Sequence, residues 1–282
     1  MKYGINTLLY TAHFSNENLG LIPKAKKLGF DGVEIALFDL AAIDAKAIRT
    51  VLDDNEMQVT TCNVFFGNES FIDESPAIRQ AARDKARASI DKARELGSPI
   101  LCGPLYAPVG KLVGRGRTPD EWKRAVEELR VAGEYARKAG LVLGIEPINR
   151  FETYFLNTIA DAAQLCREVG LECVRVHVDT FHAHIEEKNT AKAIVAAGDL
   201  VCHVHCSEND RGIAGTGQVR WRDIFKALRK IGYDDWLVIE SFVPAIEEIA
   251  AAASIWRELA PSADALAEES VKFLKSMRKE TK

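Results

Sequence analysis

The chain has 282 residues, 47% of them hydrophobic and 28% charged, and its 37 Lys and Arg against 41 Asp and Glu leave a formal charge of −4. That balance suits a folded chain with a sizeable core and excludes a disordered one. The slight acidic excess argues against a surface built for the phosphate backbone of nucleic acid.

The N-terminus, MKYGINTLLY, carries one Lys and an apolar run broken at Asn6, the pattern of a first strand and not of a secretory leader. Eight short runs rich in apolar and β-branched residues follow one another: Tyr3 to Leu9, Gly32 to Leu37, Gln58 to Val64, Pro99 to Leu105, Leu141 to Ile148, Val174 to Thr180, Val201 to Ser207 and Trp236 to Phe242. Amphipathic stretches at helical spacing separate them, among them Ser75 to Leu96, Pro119 to Lys138 and Thr158 to Val169. Gly29, Gly97, Gly140, Gly170, Gly198 and Gly232 each stand where a helix should end in a left-handed residue. Thr118-Pro119-Asp120-Glu121 has the hydroxyl, Pro and first-turn acids of a helix start.

This alternation predicts parallel strands with right-handed crossovers, and eight strands suffice to close a sheet. The expected fold is α/β, a single (β/α)8 TIM barrel over about residues 1–260, within one domain spanning 1–282. The first strand leads into TAHFSNEN, which lacks the GxGxxG turn of an open dinucleotide-binding sheet. From Pro261 to Lys282, Ala263, Leu266, Ala267, Val271 and Leu274 share one helical face, predicting an extra C-terminal helix packed on the barrel or on another subunit. No apolar run reaches the roughly 18 residues of a membrane span. The six cysteines lack CxxC spacing and are expected as reduced thiols in a cytoplasmic protein.

Active sites of such barrels lie at the C-terminal ends of the strands. Four consecutive predicted strands run into an isolated polar residue there: Glu146, Asp179, His205 and Glu240. Barrel strands often end in unrelated polar residues. Three carboxylates converging without a cation would repel one another, however, and a divalent ion such as Mn²⁺, Co²⁺ or Mg²⁺ supplies the missing charge. Glu152 and Arg150, His182 and Arg211 follow in the same loops and are expected to line a polar pocket, with Arg211 and His182 donating to substrate oxygens. His177 and His203 share the parity of Asp179 and His205 and are expected as satisfied core histidines, with support of the site from one layer deeper as the alternative, while Glu34 is expected in a paired structural role, with contact to the site as its alternative. His184 falls at a loop edge, His13 has no readable role, and RGIAGTGQ (211–218) is expected as a flexible loop and not a phosphate nest.

GIEPINRFET, VDTFHAHIEE, CSENDRGIAGTGQVRW and VIESF, in that order and on those strands, resemble the xylose-isomerase-like TIM barrels, and among them the ketose 3-epimerases of the D-tagatose, D-psicose (D-allulose) and L-ribulose type. The resemblance implies Glu146, Asp179, His205 and Glu240 as metal ligands, with Glu146 and Glu240 as the two acid–base residues. It implies Glu152, His182 and Arg211 as substrate-binding residues, with Asn6, Leu8, Cys62 and Phe242 nearby. His184 departs from several relatives. The implied reaction is metal-dependent inversion at C3 of a free 2-ketose through an enediolate, without nucleotide or redox cofactor, in a homodimer or homotetramer. Within the same superfamily, a hydroxypyruvate isomerase, an aldose–ketose isomerase or a keto-inositol or dehydroshikimate dehydratase is the alternative. A phosphopentulose 3-epimerase, a metal-dependent DNA-repair endonuclease and a non-catalytic sugar-binding barrel are weaker readings.

Overall fold

In the computed structural model, which describes residues 1–281, the strands are β1 Lys2–Asn6, β2 Gly32–Ala36, β3 Gln58–Cys62, β4 Ile100–Gly103, β5 Val142–Ile145, β6 Val174–Asp179, β7 Val201–Cys206 and β8 Trp236–Ile239. Each pairs in parallel with its sequence neighbours, and β1 pairs with β8 from Lys2↔Trp236 to Ile5↔Ile239, so the predicted barrel is closed. Ten α-helices connect and cover the strands among the described residues: α1 Leu21–Leu28, α2 Ala45–Asp54, α3 Pro76–Leu96, α4 Pro119–Ala139, α5 Ile159–Val169, α6 Thr180–Glu186, α7 Thr190–Ala197, α8 Trp221–Lys230, α9 Glu247–Ala253 and α10 Ala263–Glu280.

Local chemistry explains most boundaries. Thr118 and Glu121 form the reciprocal hydrogen bonds of a capping box at the start of α4. Gly29, Gly97, Gly140 and Gly170 end α1, α3, α4 and α5 in the left-handed conformation. Gly198 differs from the expectation, with φ 61° and ψ −131°, because a 3-10 turn at Gly198–Leu200 leads straight into β7. The predicted strands also overrun the ladder: Thr7–Leu9 form a 3-10 turn, and Glu146 and Glu240 stand just past β5 and β8. At those positions the two residues reach the barrel mouth.

Alternation along the strands divides the interior. On β2, Val33 and Ile35 join the large apolar layer between sheet and helices, whereas Ala36 joins a smaller cluster with Cys62, Cys102, Cys202, Leu8 and Phe242. The C-terminal helix settles the choice left by its sequence. Leu266, Ala267, Ser270, Val271, Leu274 and Met277 are buried as α10 packs on α1, α8 and β8 of its own barrel. Lys275 Nζ donates to Gly29 O at 2.6 Å and reinforces that seat. All six cysteines are free thiols, five buried and Cys173 partly so. Among the described residues no helix is long and apolar enough to cross a membrane.

Candidate active site

Glu146, Asp179, His205 and Glu240 meet at the barrel mouth, and all four are buried. Asp179 and His205 are direct register partners on β6 and β7, which brings their side chains together on the inner face. One ligand atom each from Glu146, Asp179 and His205 lie within 4.8 Å of one another. Glu240 Oε1 stands 3.3 Å from His205 Nδ1. That Nδ1 has no hydrogen-bond partner although it is fully enclosed. An orphaned imidazole lone pair facing three carboxylates is the donor set a divalent cation needs, so the residues fit such an ion.

Glu34 sets this up from below. Its Oε1 lies 2.5 Å from His205 Nε2 and its Oε2 2.7 Å from His203 Nε2, with Thr60 Oγ1 and Asn6 Nδ2 also donating to it. Burial pushes the Glu34 carboxyl up, but His205 and His203 outweigh it and hold the group well below the usual carboxylate range. With Nε2 turned to Glu34, Nδ1 is the nitrogen left facing the carboxylates of the mouth. Glu34 is therefore paired as expected, yet its pairing reaches the site directly.

The two glutamates at the mouth sit in opposite environments. Burial raises Glu146 well above its ordinary range, and Glu240 and Asp179 add to the rise. Burial would raise Glu240 as well, but His205 and Arg211 overcome it and bring it to about 2. Arg211 Nη1 lies 2.9 Å from Asp179 Oδ2, 2.8 Å from Glu240 Oε2 and 2.9 Å from Ser207 Oγ. Arg211, expected to serve substrate oxygens, thus has part of its guanidinium engaged within the protein. Two buried carboxylates engage Nη1, while Nη2 stands 3.4 Å from His182 Nε2.

His182 Nδ1 accepts the backbone N–H of Asn149 at 3.1 Å, so the ring proton sits on Nε2. Burial lowers this histidine to about 3 and keeps it neutral. His182 Nε2–H and Arg211 Nη2–H are then two donors side by side, neither able to satisfy the other. Glu152 accepts from Asn149 Nδ2 at 2.6 Å and so steadies the residue that orients His182.

Glu146, Glu152, His182, Arg211 and Glu240 line one end of a cavity of about 190 Å³ whose remaining wall is largely apolar, including Leu8, Phe38, Ile148, Phe181 and Phe242. The Arg211 guanidinium carbon stands over Phe181 and Phe242, at 4.0 and 5.0 Å from the ring centroids. Asn6 and Cys62 do not line this cavity. Asn6 Nδ2 lies one layer down, 3.4 Å from Cys62 Sγ and 3.5 Å from Glu240 Oε1, because both residues are still within their strands, at the ends of β1 and β3. Arg150 is not in the pocket either, since its guanidinium pairs with Glu186 on the surface. His184 is exposed in a separate cleft beside Glu187 and Asn189.

Residues 22–277 match the family model described as the xylose isomerase-like TIM barrel. A probable ketose 3-epimerase of Synechocystis is 32% identical over 275 residues, covering 98% of this chain and 96% of the relative. A D-psicose 3-epimerase of Enterocloster bolteae is 33% identical over 268 residues, covering 93% and 89%. This chain is a ketose 3-epimerase family member. Among solved structures, D-allulose 3-epimerase from Methylomonas sp. in complex with D-allulose superposes with a TM-score of 0.94 at 29% identity, covering 98% of this chain and 97% of that one.

Within this family member, two features escape sequence reasoning. Glu208, fully buried, accepts from the backbone N–H of Asn209, Gly215 and Val219 and from Trp221 Nε1. The glycine-rich RGIAGTGQ segment therefore wraps an internal carboxylate, and the expected flexible loop is in fact tied down. Arg211 takes a left-handed φ of 64°, unusual for a side chain with a Cβ. Its backbone N–H donates to Glu208 O and its carbonyl accepts from Ser241 Oγ, which holds that conformation. The histidine expectation also splits: His203 pairs with Glu34 through Nε2 while its Nδ1 lacks a partner, and both ring nitrogens of His177 lack one.

Proposed function

We propose that this chain is a metal-dependent ketose 3-epimerase acting on free 2-ketoses, such as the D-fructose/D-psicose, D-tagatose/D-sorbose and L-ribulose/L-xylulose pairs. The observation that carries the reading is the convergence of Glu146, Asp179, His205 and Glu240 at the barrel mouth, where Glu146 and Glu240 line the cavity, in a chain about 30% identical to named ketose 3-epimerases over more than nine-tenths of its length.

Glu146, Asp179, His205 and Glu240 would hold the cation, with hard oxygens and one imidazole favouring Mn²⁺, and Co²⁺ or Mg²⁺ also suited. When bound, the ion supplies Lewis-acid stabilisation of the negative charge that develops when a carbon beside a carbonyl loses its proton. The paired donors His182 Nε2–H and Arg211 Nη2–H bind and orient ketose oxygens, and the apolar wall with Phe181 and Phe242 excludes water. Glu146 and Glu240 reach the cavity from β5 and β8. One takes the C3 proton from one face and the other returns a proton to the opposite face, with their roles exchanged in the reverse direction. Glu152 acts through Asn149 and His182. Four glutamates, Glu146, Glu152, Glu240 and Glu248, line the cavity against Arg211 alone among cations, which disfavours a phosphorylated sugar.

The same reading takes residues 1–282 as one domain, working as a homodimer or homotetramer in the cytoplasm, where six free thiols stay reduced. The test is to strip the protein with a chelator, restore Mn²⁺, Co²⁺ or Mg²⁺, and follow D-fructose, D-tagatose and L-ribulose by NMR in D₂O. Metal-dependent appearance of the C3 epimer with deuterium at C3 is the expected result. Folded, metal-loaded protein that yields neither epimer nor exchange sinks the reading in favour of an isomerase or dehydratase.

A further inference from the structure

His177 lies on β6 two residues before Asp179, and so points to the same inner side of the barrel. Its ring is fully buried and neither nitrogen has a hydrogen-bond partner. Such a group costs about 1–3 kcal/mol relative to a satisfied one. A leucine there would carry no such penalty. The ring is nonetheless held in place, edge-on against His205 and His203 with centroids 4.1 and 5.1 Å away. Gly144, the inward position just below Glu146, leaves room for it, since a Cβ on Gly144 would stand 3.3 Å from His177 Cβ.

The carboxylate beside the orphaned ring is Glu146, whose Oε2 lies 3.5 Å from His177 Nδ1. Its other oxygen, Oε1, is the one nearer His182 Nε2, at 3.8 Å. Asp179 accepts from Arg211 Nη1 and from Phe181 N, and Glu240 from Arg211 Nη1 and Asn6 Nδ2. Among the described residues Glu146 is the one carboxylate of the three that accepts no hydrogen bond. An unserved donor and an unserved acceptor thus face each other a few tenths of an ångström beyond bonding distance.

We propose that His177 is a positioning residue for Glu146: its ring N–H engages Oε2 and fixes the carboxylate plane, leaving Oε1 turned to the cavity and to C3 of the substrate. The proposal rests on the epimerase reading above. It gives Glu146 and Glu240 separate supports, His177 for one and Arg211 with Asn6 for the other.

The experiment compares H177L and H177Q with the Mn²⁺-loaded wild type, starting from D-psicose and from D-fructose in D₂O. H177L is expected to lower kcat about 10- to 100-fold with KM within about twofold. Its Tm should stay close to that of the wild type, because loss of the Glu146 contact is offset by removal of the ring's other, unpartnered nitrogen. H177Q, which keeps an N–H donor, should recover most of kcat. The deciding readout is exchange against inversion. With Glu146 misplaced, the epimer whose C3–H faces Glu240 still exchanges that proton for deuterium with retention, while inversion is lost and the other epimer does neither. Equal loss of exchange from both epimers together with a lowered Tm makes His177 a structural residue and overturns the proposal. So does an unchanged kcat, and so does a second metal equivalent per chain that H177L no longer binds, which would make the ring a ligand. Absence of C3 exchange in the wild type fails the parent reading, and this one with it.

Discussion

Two glycine-rich loops cross the mouth of this barrel and are built in opposite ways. After β4, residues 110–116 carry Gly110, Gly114 and Gly116, and a Cβ added at any of them meets nothing within 4 Å. After β7, a Cβ on Gly215 would stand 2.4 Å from the Phe273 ring, and one on Gly217 would stand 2.3 Å from Asn209 Oδ1. The first loop is anchored at its rim, by Lys111 to Asp73 and by Arg115 to Glu121. The second is anchored at its centre, around the four N–H groups that Glu208 accepts. Glycine in the one gives an open turn and in the other allows backbone to crowd around a buried charge. The second loop carries Arg211, and central anchoring suits a residue that must be placed to a fraction of an ångström.

Substitutions can break this contrast at four strengths. Removing the centre should do most: E208A leaves three backbone N–H groups and the Trp221 indole unsatisfied and should cost about 4 kcal/mol in a urea titration, with loss of turnover as Arg211 shifts. A result under about 1 kcal/mol would mean that the loop holds without its carboxylate. G215A, at φ 89° and against Phe273, should cost about 2–3 kcal/mol by the same measurement. The rim anchor of the first loop is smaller and pH-dependent. Burial would raise Glu121, but Arg115, the Thr118 N–H and Tyr154 bring it down to about 2. A carboxylate depressed in the folded state stabilises above its unfolded value near 4.5 and loses that contribution as pH falls towards 2. E121Q should therefore cost about 1 kcal/mol at neutral pH, since Arg115 is half exposed, and show a shallower acid limb between pH 4.5 and 2. G116A should change stability by less than about 0.5 kcal/mol and leave kcat/KM unaltered. A large effect there would erase the distinction between the loops.

What the sequence reveals and what it hides follow the same division between local and distant causes. Strand and helix punctuation is local: Thr118 reaches Glu121 three residues on, and Gly140 ends the helix it follows, so the eightfold alternation is legible. The four strand-end residues are legible too, because an isolated charge after β-branched residues stands out. Glu208 is invisible in this way. It sits in a polar run, and its partners Gly215, Val219 and Trp221 look like loop and helix residues until the chain folds back. Glu34 and His205 are 171 positions apart, and nothing near either announces the other. His177 is half legible for the converse reason: alternation places its ring inside, but only the fold shows that Glu146 is the carboxylate beside it.

The seam between β1 and β8 bears on how the barrel is made. Lys2 to Ile5 pair with Trp236 to Ile239, so the first strand waits for nearly the whole chain before its second edge is covered. Until then β1 and β7 both present open edges, the surfaces through which nascent chains associate wrongly. Closing so long a loop adds only a logarithmic entropy cost once the other strands are in register, and the finished cylinder has no edge left to protect. The hazard of this architecture therefore belongs to its synthesis and disappears with the last strand.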